Sequence, residues 1–457
     1  MPGIPHVPAP RSPLATEDAT EPTAGSPCIL LKHGEVFLKG GNRHLFTQRL
    51  HDNLRHALRG VGGSTWISPG RNVTVLGGEV PRDVLLERAR RVIGFNVVEP
   101  AVRMPSTEED ITAAVVAALD EARTERPGLS FAVRVKRRHK GFPLTGTEFA
   151  QVLGARAQRA LDGLRVNLKH PDVQIMVEIE KRVSYVSRQR LPGLSGLPVG
   201  SSGRALALLS GGYDSPVAAH RAMRRGLRCD FVHFTGAPYT NPASLYKAYA
   251  LARELNRYQP GGKLYVVALG KAQKQLAIAG ADRLQVVAQR RLMVRAAAAL
   301  ARRSRAEALV TGDSLGQVAS QTVANMAAVD EAATLPVLRP LLGWEKQEII
   351  DEARTLGTAG VSVLPDEDCC RLLAPPRVTT RASVGDLRAV ERRLDLDEVV
   401  EGLLREVQVL CPGEDDTAAV SGTGTGVAQP PGGAGEPSGT AVGSGCSTSL
   451  PGQPGPG

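Results

Sequence analysis

Short apolar runs alternate with helical segments over residues 204–357. Each run is followed by a stretch in which apolar residues recur at helical spacing, which is typical of strand–helix units. The predicted strands are ALALLS, CDFVHFTG, KLYVVALG, EALVTGD and LPVLRPL. This alternation predicts an α/β fold with a doubly wound, mostly parallel sheet and helices on both faces. In such a sheet the ligand binds outside the carboxyl ends of the strands.

The chain before this region mixes strands and helices without strict alternation, which indicates α+β structure. Gly- and Pro-rich segments divide the chain, and the two ends contain too few apolar residues to pack. We therefore expect disordered ends, two α+β domains, a linker and one α/β domain. The expected boundaries are 1–27 (disordered), 28–80, 81–190, 191–203 (linker), 204–411 and 412–457 (disordered, low-complexity).

The chain is basic, with 56 Lys and Arg against 46 Asp and Glu in 457 residues. Residues 412–457 hold four acidic residues and no Lys or Arg, so the positive charge concentrates in the predicted domains. A basic body favours a polyanionic partner such as nucleic acid, although a generally basic surface also aids solubility. No apolar stretch approaches the ~20 residues of a membrane span, and residues 1–26 lack a signal-peptide pattern. The six cysteines do not suggest a disulfide framework or a zinc site, so we expect a cytoplasmic protein.

The segment LLSGGYDSPVAAH, residues 208–220, places a glycine turn between a predicted strand and a predicted helix. Backbone N–H groups of such a turn, together with the helix dipole, bind anions. Ser215 at the N-cap and Pro216 at the first helical position would begin the helix. The Gly-Lys-Ser/Thr ending of the nucleoside-triphosphatase P-loop is absent. Asp214 would repel a phosphate unless Mg²⁺ lies between them, or unless its carboxylate caps the helix.

A run of basic residues ends a predicted strand and precedes a Gly-Phe-Pro turn. Its members are Arg134, Lys136, Arg137, Arg138 and Lys140. Charge runs are usually solvated faces, but here the charges would concentrate at one edge of a domain. Such a patch suits contacts to RNA phosphates, which position the nucleic acid without reading its sequence.

Several motifs in order resemble the tRNA 4-thiouridine synthetase family, also called tRNA uridine 4-sulfurtransferase. They are LKHGEVFLKGGNRHLF, RVKRRHKGFPLTGTEFAQVLG, SGGYDS, GDSLGQVASQTVANM and EDCC. SGGYDS is similar to the PP-loop of ATP pyrophosphatases, which cleave ATP to AMP and pyrophosphate. The resemblance runs from about Cys28 to about Leu410. It implies a ferredoxin-like domain over 28–80, a THUMP RNA-binding domain over 81–190 and a PP-loop domain over 204–411, in the short form without a rhodanese domain.

The resemblance implies ATP, Mg²⁺ and tRNA as cosubstrate, cofactor and substrate. The uridine at tRNA position eight would be adenylated at its C4 oxygen, and a cysteine persulfide would supply sulfur and displace AMP. A cysteine desulfurase is the implied sulfur donor. A second implied role passes sulfur to a sulfur-carrier protein for thiazole and thiamine synthesis. The alternatives are a PP-loop enzyme that serves thiamine synthesis only and a non-catalytic RNA-binding protein. The oligomeric state stays open, with a homodimer among the alternatives.

The resemblance also assigns site residues. It makes Asp214 catalytic, and it places Arg290, with Arg291 as the alternative, at the nucleotide. Taken by themselves, His233 and Phe234 in an apolar strand would be core residues. The ATP contacts that the resemblance implies are Leu208, Leu209, Ser210, Gly211, Gly212, Ser215, His233, Phe234, Arg290, Gly312 and Gln321.

Adjacent cysteines, Cys369 and Cys370, follow three acidic residues. Their Cα atoms are about 3.8 Å apart, whereas a disulfide prefers roughly 4.4 to 6.8 Å, so a structural bond between them is improbable. The neighbouring carboxylates raise a thiol pKa and the neighbouring arginines lower it, so local electrostatics does not decide their role. The resemblance places the persulfide here, and the spacing to the Pro-containing stretch that follows favours Cys370, with Cys369 second. Cys446 lies alone in the low-complexity end, and we expect no role for it.

Overall fold

The structure, a computed structural model, describes residues 25–70, 72–365 and 373–413. It divides into two compact units, one ending at Leu197 and the other beginning at Pro198. The predicted disordered ends, apart from residues 25–27 and 412–413, lie outside the described residues.

In its described residues, the first unit is built on a nine-stranded mixed sheet with four α-helices. The strand order is β2-β3-β1-β4-β8-β7-β5-β6, and β9 pairs with β4. The elements are β1 (Ser26–His33), α1 (Arg43–Ala57), β2 (Thr65–Pro69), β3 (Val73–Gly78), α2 (Arg82–Arg90), β4 (Phe95–Pro105), α3 (Glu108–Glu125), β5 (Ser130–Arg137), α4 (Gly146–Ala160), β6 (Arg165–Val166), β7 (Val173–Ile179), β8 (Val183–Ser187) and β9 (Leu191–Pro192).

Two apolar cores lie beneath the helices of this unit. Leu50 of α1 and Leu85 of α2 pack with Ile29 of β1 in the first core. Ile111 of α3 and Phe149 of α4 belong to the second. Helix α2, which we expected to open the second domain, therefore packs in the first core. Successive side chains of a strand point to opposite faces of the sheet. Residues that alternate with the core positions therefore lie on the face away from these helices.

The segment 191–203, for which we predict a linker, begins as part of the first unit. Strand β9 pairs with β4, and the Ser195 N–H donates to the Phe95 carbonyl at 2.9 Å. The pattern of STWISPGRNVTVLGG, residues 64–78, predicts one strand, but the structure has a hairpin of β2 and β3, because the chain turns at Gly70. Both differences are local, and neither changes the fold class.

The second unit carries the predicted doubly wound sheet. Its elements are β10 (Arg204–Leu208), α5 (Asp214–Arg224), β11 (Arg228–Thr235), α6 (Ala243–Asn256), β12 (Leu264–Ala268), α7 (Gly270–Ile278), α8 (Gln285–Arg303), β13 (Ala308–Val310), α9 (Val323–Asp330), β14 (Val337–Leu338), α10 (Lys346–Leu356), α11 (Ala359–Ser362), α12 (Val384–Glu391), α13 (Leu396–Arg405) and β15 (Gln408–Leu410).

The strand order β14-β13-β10-β11-β12-β15 determines where a ligand can bind. The first five strands are parallel, as predicted, and β15 adds an antiparallel edge that the sequence pattern did not indicate. From β10 the chain proceeds to β11 and β12 on one side and then crosses to β13 and β14 on the other. The loops after β10 and β13 therefore diverge at the switch point, where a crevice forms. Among the described residues, no helix is long and apolar enough to cross a membrane.

Candidate active site

The PP-loop, residues 209–213, leaves β10 and enters α5 at the switch point. The Ser215 hydroxyl holds the loop closed by accepting the Ser210 N–H at 2.8 Å, and Ser210 Oγ accepts the Gly212 N–H at 3.3 Å. Because Ser215 Oγ accepts the Ser210 N–H, it does not cap the helix. Helix α5 begins at Asp214 after Tyr213, so our expectation of Ser215 at the N-cap was wrong by two positions. Pro216 lies in the first turn, where its missing N–H costs no helical bond.

Asp214 does not cap α5 either, because its carboxylate binds two other side chains. Lys346 Nζ, at the start of α10, donates to Oδ1 at 2.7 Å, and Gln317 Nε2 donates to Oδ2 at 3.1 Å. Lys346 is 44% exposed and Asp214 22% exposed. The ion pair therefore places a cation at the mouth of the anion-binding loop, and Lys346 and Gln317 are site residues that the sequence reasoning missed.

Gly312 brings the loop after β13 against the first residues of α5, directly after the PP-loop. A Cβ at this position would lie 2.6 Å from Ser215 N and 2.8 Å from the Asp214 carbonyl carbon, closer than real Cβ contacts. Any side chain would push the two backbones apart, so glycine is needed for this approach. The structure thus brings together two segments that the sequence separates by about a hundred residues.

Asp313 follows Gly312 and holds the same loop through hydrogen bonds to several side chains. The carboxylate is buried and accepts from Arg290, from Arg339 Nε at 3.1 Å and from Gln321 Nε2 at 3.3 Å. Burial alone would raise the pKa of Asp313, but the charges of Arg290 and Arg339 and the Thr311 hydroxyl hold it below its usual value. Asp313 is therefore an ionised anchor for the predicted contacts Arg290 and Gln321.

The structure separates Arg290 from Arg291. Arg290 donates to Asp313 and to the Ser320 carbonyl at 3.3 Å, so it faces the loop after β13. The Arg291 side chain is completely buried and pairs with Glu331 at 2.7 Å and with Glu391 at 2.6 Å, an arrangement that joins α8 to α9 and α12. Arg290 is therefore the better candidate for a nucleotide contact.

The other predicted ATP contacts lie at the carboxyl ends of β10 and β11. Leu209 and Phe234 are buried, and Leu208 is partly buried against the core. His233 is 4% exposed, and its Nδ1 lies 2.8 Å from the Leu209 carbonyl, which can only accept, so the proton is on Nδ1. The His233 side chain thus holds the strand end from which the PP-loop starts.

The catalytic cysteines that we predict, Cys369 and Cys370, lie outside the described residues. The chain before them is fastened beside the PP-loop, because Ser362 Oγ donates to the Gly212 carbonyl at 3.2 Å. Lys247 Nζ donates to the Leu364 carbonyl at 2.6 Å.

Asn325 of α9 binds the chain that follows the cysteine pair. Asn325 Nδ2 donates to the Thr379 carbonyl at 2.9 Å, and Asn325 Oδ1 accepts the Ala382 N–H at 2.8 Å. Asn325 follows the loop that carries Gln321, so the chain is held beside the candidate site on both sides of the cysteine pair. Cys28 and Cys229 are free but buried; burial raises the pKa of Cys28 to about 12 and that of Cys229 further. Neither is a suitable thiolate at neutral pH.

The basic run divides on β5 by strand alternation. Arg134 and Lys136 point to the face opposite the core residues Phe131 and Val133. Arg137 points the other way and donates to the Phe142 and Leu144 carbonyls at 3.1 Å, so it supports the following loop. Arg138 donates to Glu178 at 2.6 Å. Lys140 is exposed in that loop. Arg134, Lys136 and Arg138 therefore lie on the face of the sheet opposite the core that contains Phe131 and Val133.

Three family models match successive parts of the chain between residues 28 and 396. Residues 28–98 match the ThiI ferredoxin-like domain, residues 105–188 the THUMP domain, and residues 200–396 the family described as thiamine biosynthesis protein (ThiI). A probable tRNA sulfurtransferase of Nocardia farcinica is 58% identical over 84% of this chain and 94% of its own length. One of Thermus thermophilus is 42% identical over 82% and 91%.

A solved structure has the same architecture. The crystal structure of a 4-thiouridine synthetase–RNA complex with bound ATP superposes with a TM-score of 0.77 at 28% identity, over 84% of this chain and 99% of that one. PH1313 of Pyrococcus horikoshii, at 21% identity and a TM-score of 0.56, shares the fold. The chain therefore belongs to the tRNA sulfurtransferase family, with ferredoxin-like, THUMP and ThiI domains.

Proposed function

We propose that the protein uses ATP to transfer sulfur to the uridine at position eight of tRNA, forming 4-thiouridine. Family membership supports tRNA as the substrate and ATP as the cosubstrate. The observation that carries the proposal is the built crevice at the switch point, where the PP-loop, Gly312 and the Asp214–Lys346 pair converge. A purely RNA-binding protein would have no need of this arrangement.

In the first step the uridine C4 oxygen attacks the α-phosphorus of ATP, and pyrophosphate leaves. The PP-loop N–H groups and the N-terminus of α5 would hold the leaving pyrophosphate. Lys346, fixed by Asp214 at 2.7 Å, would add a positive charge where negative charge develops. Arg290 would contact the nucleotide from the loop after β13.

Mg²⁺ is normally held by one or two carboxylates together with substrate phosphates, and the partly exposed Asp214 fits that role. Among the described residues, no group of three or more His, Cys, Asp or Glu could bind the ion without ATP. When bound, the ion would neutralise charge on the triphosphate.

In the second step a persulfide on Cys370, or on Cys369, attacks C4 with its terminal sulfur. The C4–oxygen bond breaks and AMP leaves with the former C4 oxygen. A second thiolate then attacks the sulfur of the enzyme cysteine, so that the S–S bond breaks and the terminal sulfur stays on the uridine with its electron pair. The disulfide left behind is reduced by thiols, and a cysteine desulfurase reloads the cysteine.

The family profile described as a thiamine biosynthesis protein supports a second role. The same persulfide would attack the adenylated carboxyl terminus of a sulfur-carrier protein with its terminal sulfur, so that AMP leaves. A thiolate would then break the S–S bond and leave a thiocarboxylate, the sulfur source for thiazole synthesis. This role needs the reactive cysteine but not the THUMP domain, so a chain restricted to residues 198–457 should retain it.

Pyrophosphate release tests the proposed chemistry. Wild-type protein should release pyrophosphate from ATP when tRNA is present, and a tRNA with cytidine at position eight should give the rate without tRNA. Asp214→Asn, which keeps the shape but loses the charge that fixes Lys346, should lower the tRNA-dependent rate about a hundredfold. The Asp214→Asn variant should still bind tRNA. Pyrophosphate release that ignores position eight would contradict the proposal.

A further inference from the structure

A small cavity of about 200 Å³ in the first unit is surrounded by positive charge. Four of its lining residues are cationic: Lys32, Lys136, Arg138 and Arg190. Pockets for drug-sized ligands measure about 300–1,000 Å³. This cavity therefore fits one small anionic group rather than a whole nucleotide such as ATP.

Two buried carboxylates, Glu99 and Glu178, pair with three of the four cations. Lys32 Nζ lies 2.7 Å from Glu99 Oε2 and 2.7 Å from Glu178 Oε1. Arg138 Nε donates to Glu178 Oε2 at 2.8 Å, and Arg190 Nε lies 3.6 Å from Glu99 Oε1. Burial would raise the pKa of Glu178, but Lys32 and Arg138 lower it below its usual value. Four cations face two carboxylates, so the cluster has a net charge of about +2 with these groups ionised.

The neutral lining groups offer hydrogen-bond donors. Asn72 Oδ1 accepts from Arg43 Nη2 at 2.7 Å, which leaves the Asn72 NH₂ group as the donor beside the cavity. Asn96 lines the cavity as well. An anion would therefore find amide donors as well as cations.

His33 supplies a further polar atom, because its side chain lines the cavity and is 5% exposed. Its Nε2 and that of His51 both lie 2.8 Å from Thr74 Oγ1. A hydroxyl donates one hydrogen, so one imidazole accepts it and the other donates. When His33 accepts, its own proton is on Nδ1, which has no hydrogen-bond partner among the described residues. Burial and the charge of His51 lower the pKa of His33 to about 4, so the ring is neutral.

We propose that this cavity binds one phosphate group of the tRNA. The inference rests on the proposed function, since tRNA is the polyanion that the protein handles, and it extends the basic run on β5 to Lys32, Asn72, Asn96 and Arg190. The phosphate is either the monoester at the 5′ end of the RNA or a diester within the chain. Both present the same oxygens to the cations and amide donors.

Asn72→Asp tests the proposal with little disturbance of the fold. The aspartate still accepts from Arg43, but a carboxylate replaces the NH₂ donors and repels an anion. We expect the Kd for tRNA to rise about tenfold and the slope of log Kd against log salt to fall by about one. Gln151→Glu, at an exposed position on α4, adds the same charge away from the cavity and should leave both quantities unchanged. Circular dichroism and ATP affinity should match wild type.

Two RNAs distinguish the source of the phosphate. If the effect of Asn72→Asp disappears with a 5′-hydroxyl tRNA, the cavity binds the terminal monoester; if the effect persists, it binds a diester. Either result supports the proposal. Equal tRNA affinity of wild type and Asn72→Asp with both RNAs would overturn it. A wild-type protein that does not bind tRNA would instead contradict the proposed function.

Discussion

At the residue scale, the ion pair of Asp214 and Lys346 explains why a carboxylate follows the loop that we propose to bind phosphate. Asp214 Oδ1 accepts from Lys346 at 2.7 Å although the two residues are 132 positions apart. The carboxylate thus orients a cation, while the backbone N–H groups of the loop are left for phosphate oxygens. Local sequence does not reveal this partner, because Lys346 lies in an ordinary exposed helix start.

The cysteine pair is the other residue-scale feature. We predict that Cys370→Ala abolishes 4-thiouridine formation, because the persulfide has no carrier, while tRNA and ATP binding and pyrophosphate release persist. The check is in vitro thiolation with a cysteine desulfurase and radiolabelled cysteine. Cys229→Ala removes a buried thiol and serves as the matched control, which should retain activity if it folds.

A normal yield of 4-thiouridine with Cys370→Ala, together with none with Cys369→Ala, would move the persulfide to Cys369. Full activity of the double variant would contradict persulfide chemistry on this segment. Cys446→Ala should change nothing.

At the element scale, α10 is held on α5 by a small set of contacts that positions Lys346. The Arg221 guanidinium lies 4.2 Å from the centroid of the Trp344 ring and also pairs with Glu352. Burial would raise the pKa of Glu352, but His220 and Arg221 lower it to about 2, so the carboxylate is ionised at neutral pH. The start of α10, and with it Lys346, depends on this docking.

We therefore predict that Trp344→Ala lowers kcat for pyrophosphate release about fivefold to tenfold with a smaller change in the KM for ATP. A cation–π contact of this kind contributes about 0.5–2 kcal/mol. Trp344→Phe keeps a ring beneath Arg221 and should restore most of the rate. Equal rates for the alanine and phenylalanine variants would show that the ring does not position Lys346.

Strand β5 sets the geometry of the charges that we propose to contact RNA. Reversing Arg134 and Lys136 to glutamate should raise the Kd for tRNA at least tenfold and reduce its salt dependence, because both side chains lie on the same face. The same two reversals at Arg82 and Arg90 on α2 change the net charge equally and should have little effect. ATP affinity should stay constant throughout. Unchanged tRNA affinity across a salt series would remove β5 from the RNA interface.

At the scale of the whole molecule, the sequence predicts those strands and turns that depend on neighbouring residues alone. Alternating apolar runs predicted the five parallel strands of the second unit, and SGGYDS predicted the anion loop between β10 and α5. The start of α5 was misplaced, because the Ser215 hydroxyl bonds to the Ser210 N–H instead of a helical N–H. The helix propensity of single residues does not predict which of these two N–H groups the Ser215 hydroxyl binds.

Long-range packing accounts for the other differences. The edge strand β15 is three residues long and forms only by pairing with β12, so no periodic pattern precedes it. Helix α2 joins the first core because Leu85 and Ala89 meet α1 and β1, which the order of elements alone does not show. The contacts of Lys346, Gln317 and Asp313 likewise depend on elements far apart in sequence.

The central claim is sulfur transfer to tRNA, and the nucleoside composition of cellular tRNA tests it most directly. Bulk tRNA from a strain that lacks this gene is digested to nucleosides and analysed by mass spectrometry, beside the same strain carrying the wild-type gene or the Cys370→Ala variant. We predict that 4-thiouridine disappears in the deletion strain, returns with the wild-type gene and stays absent with the variant. Unchanged 4-thiouridine in the deletion strain would contradict the account.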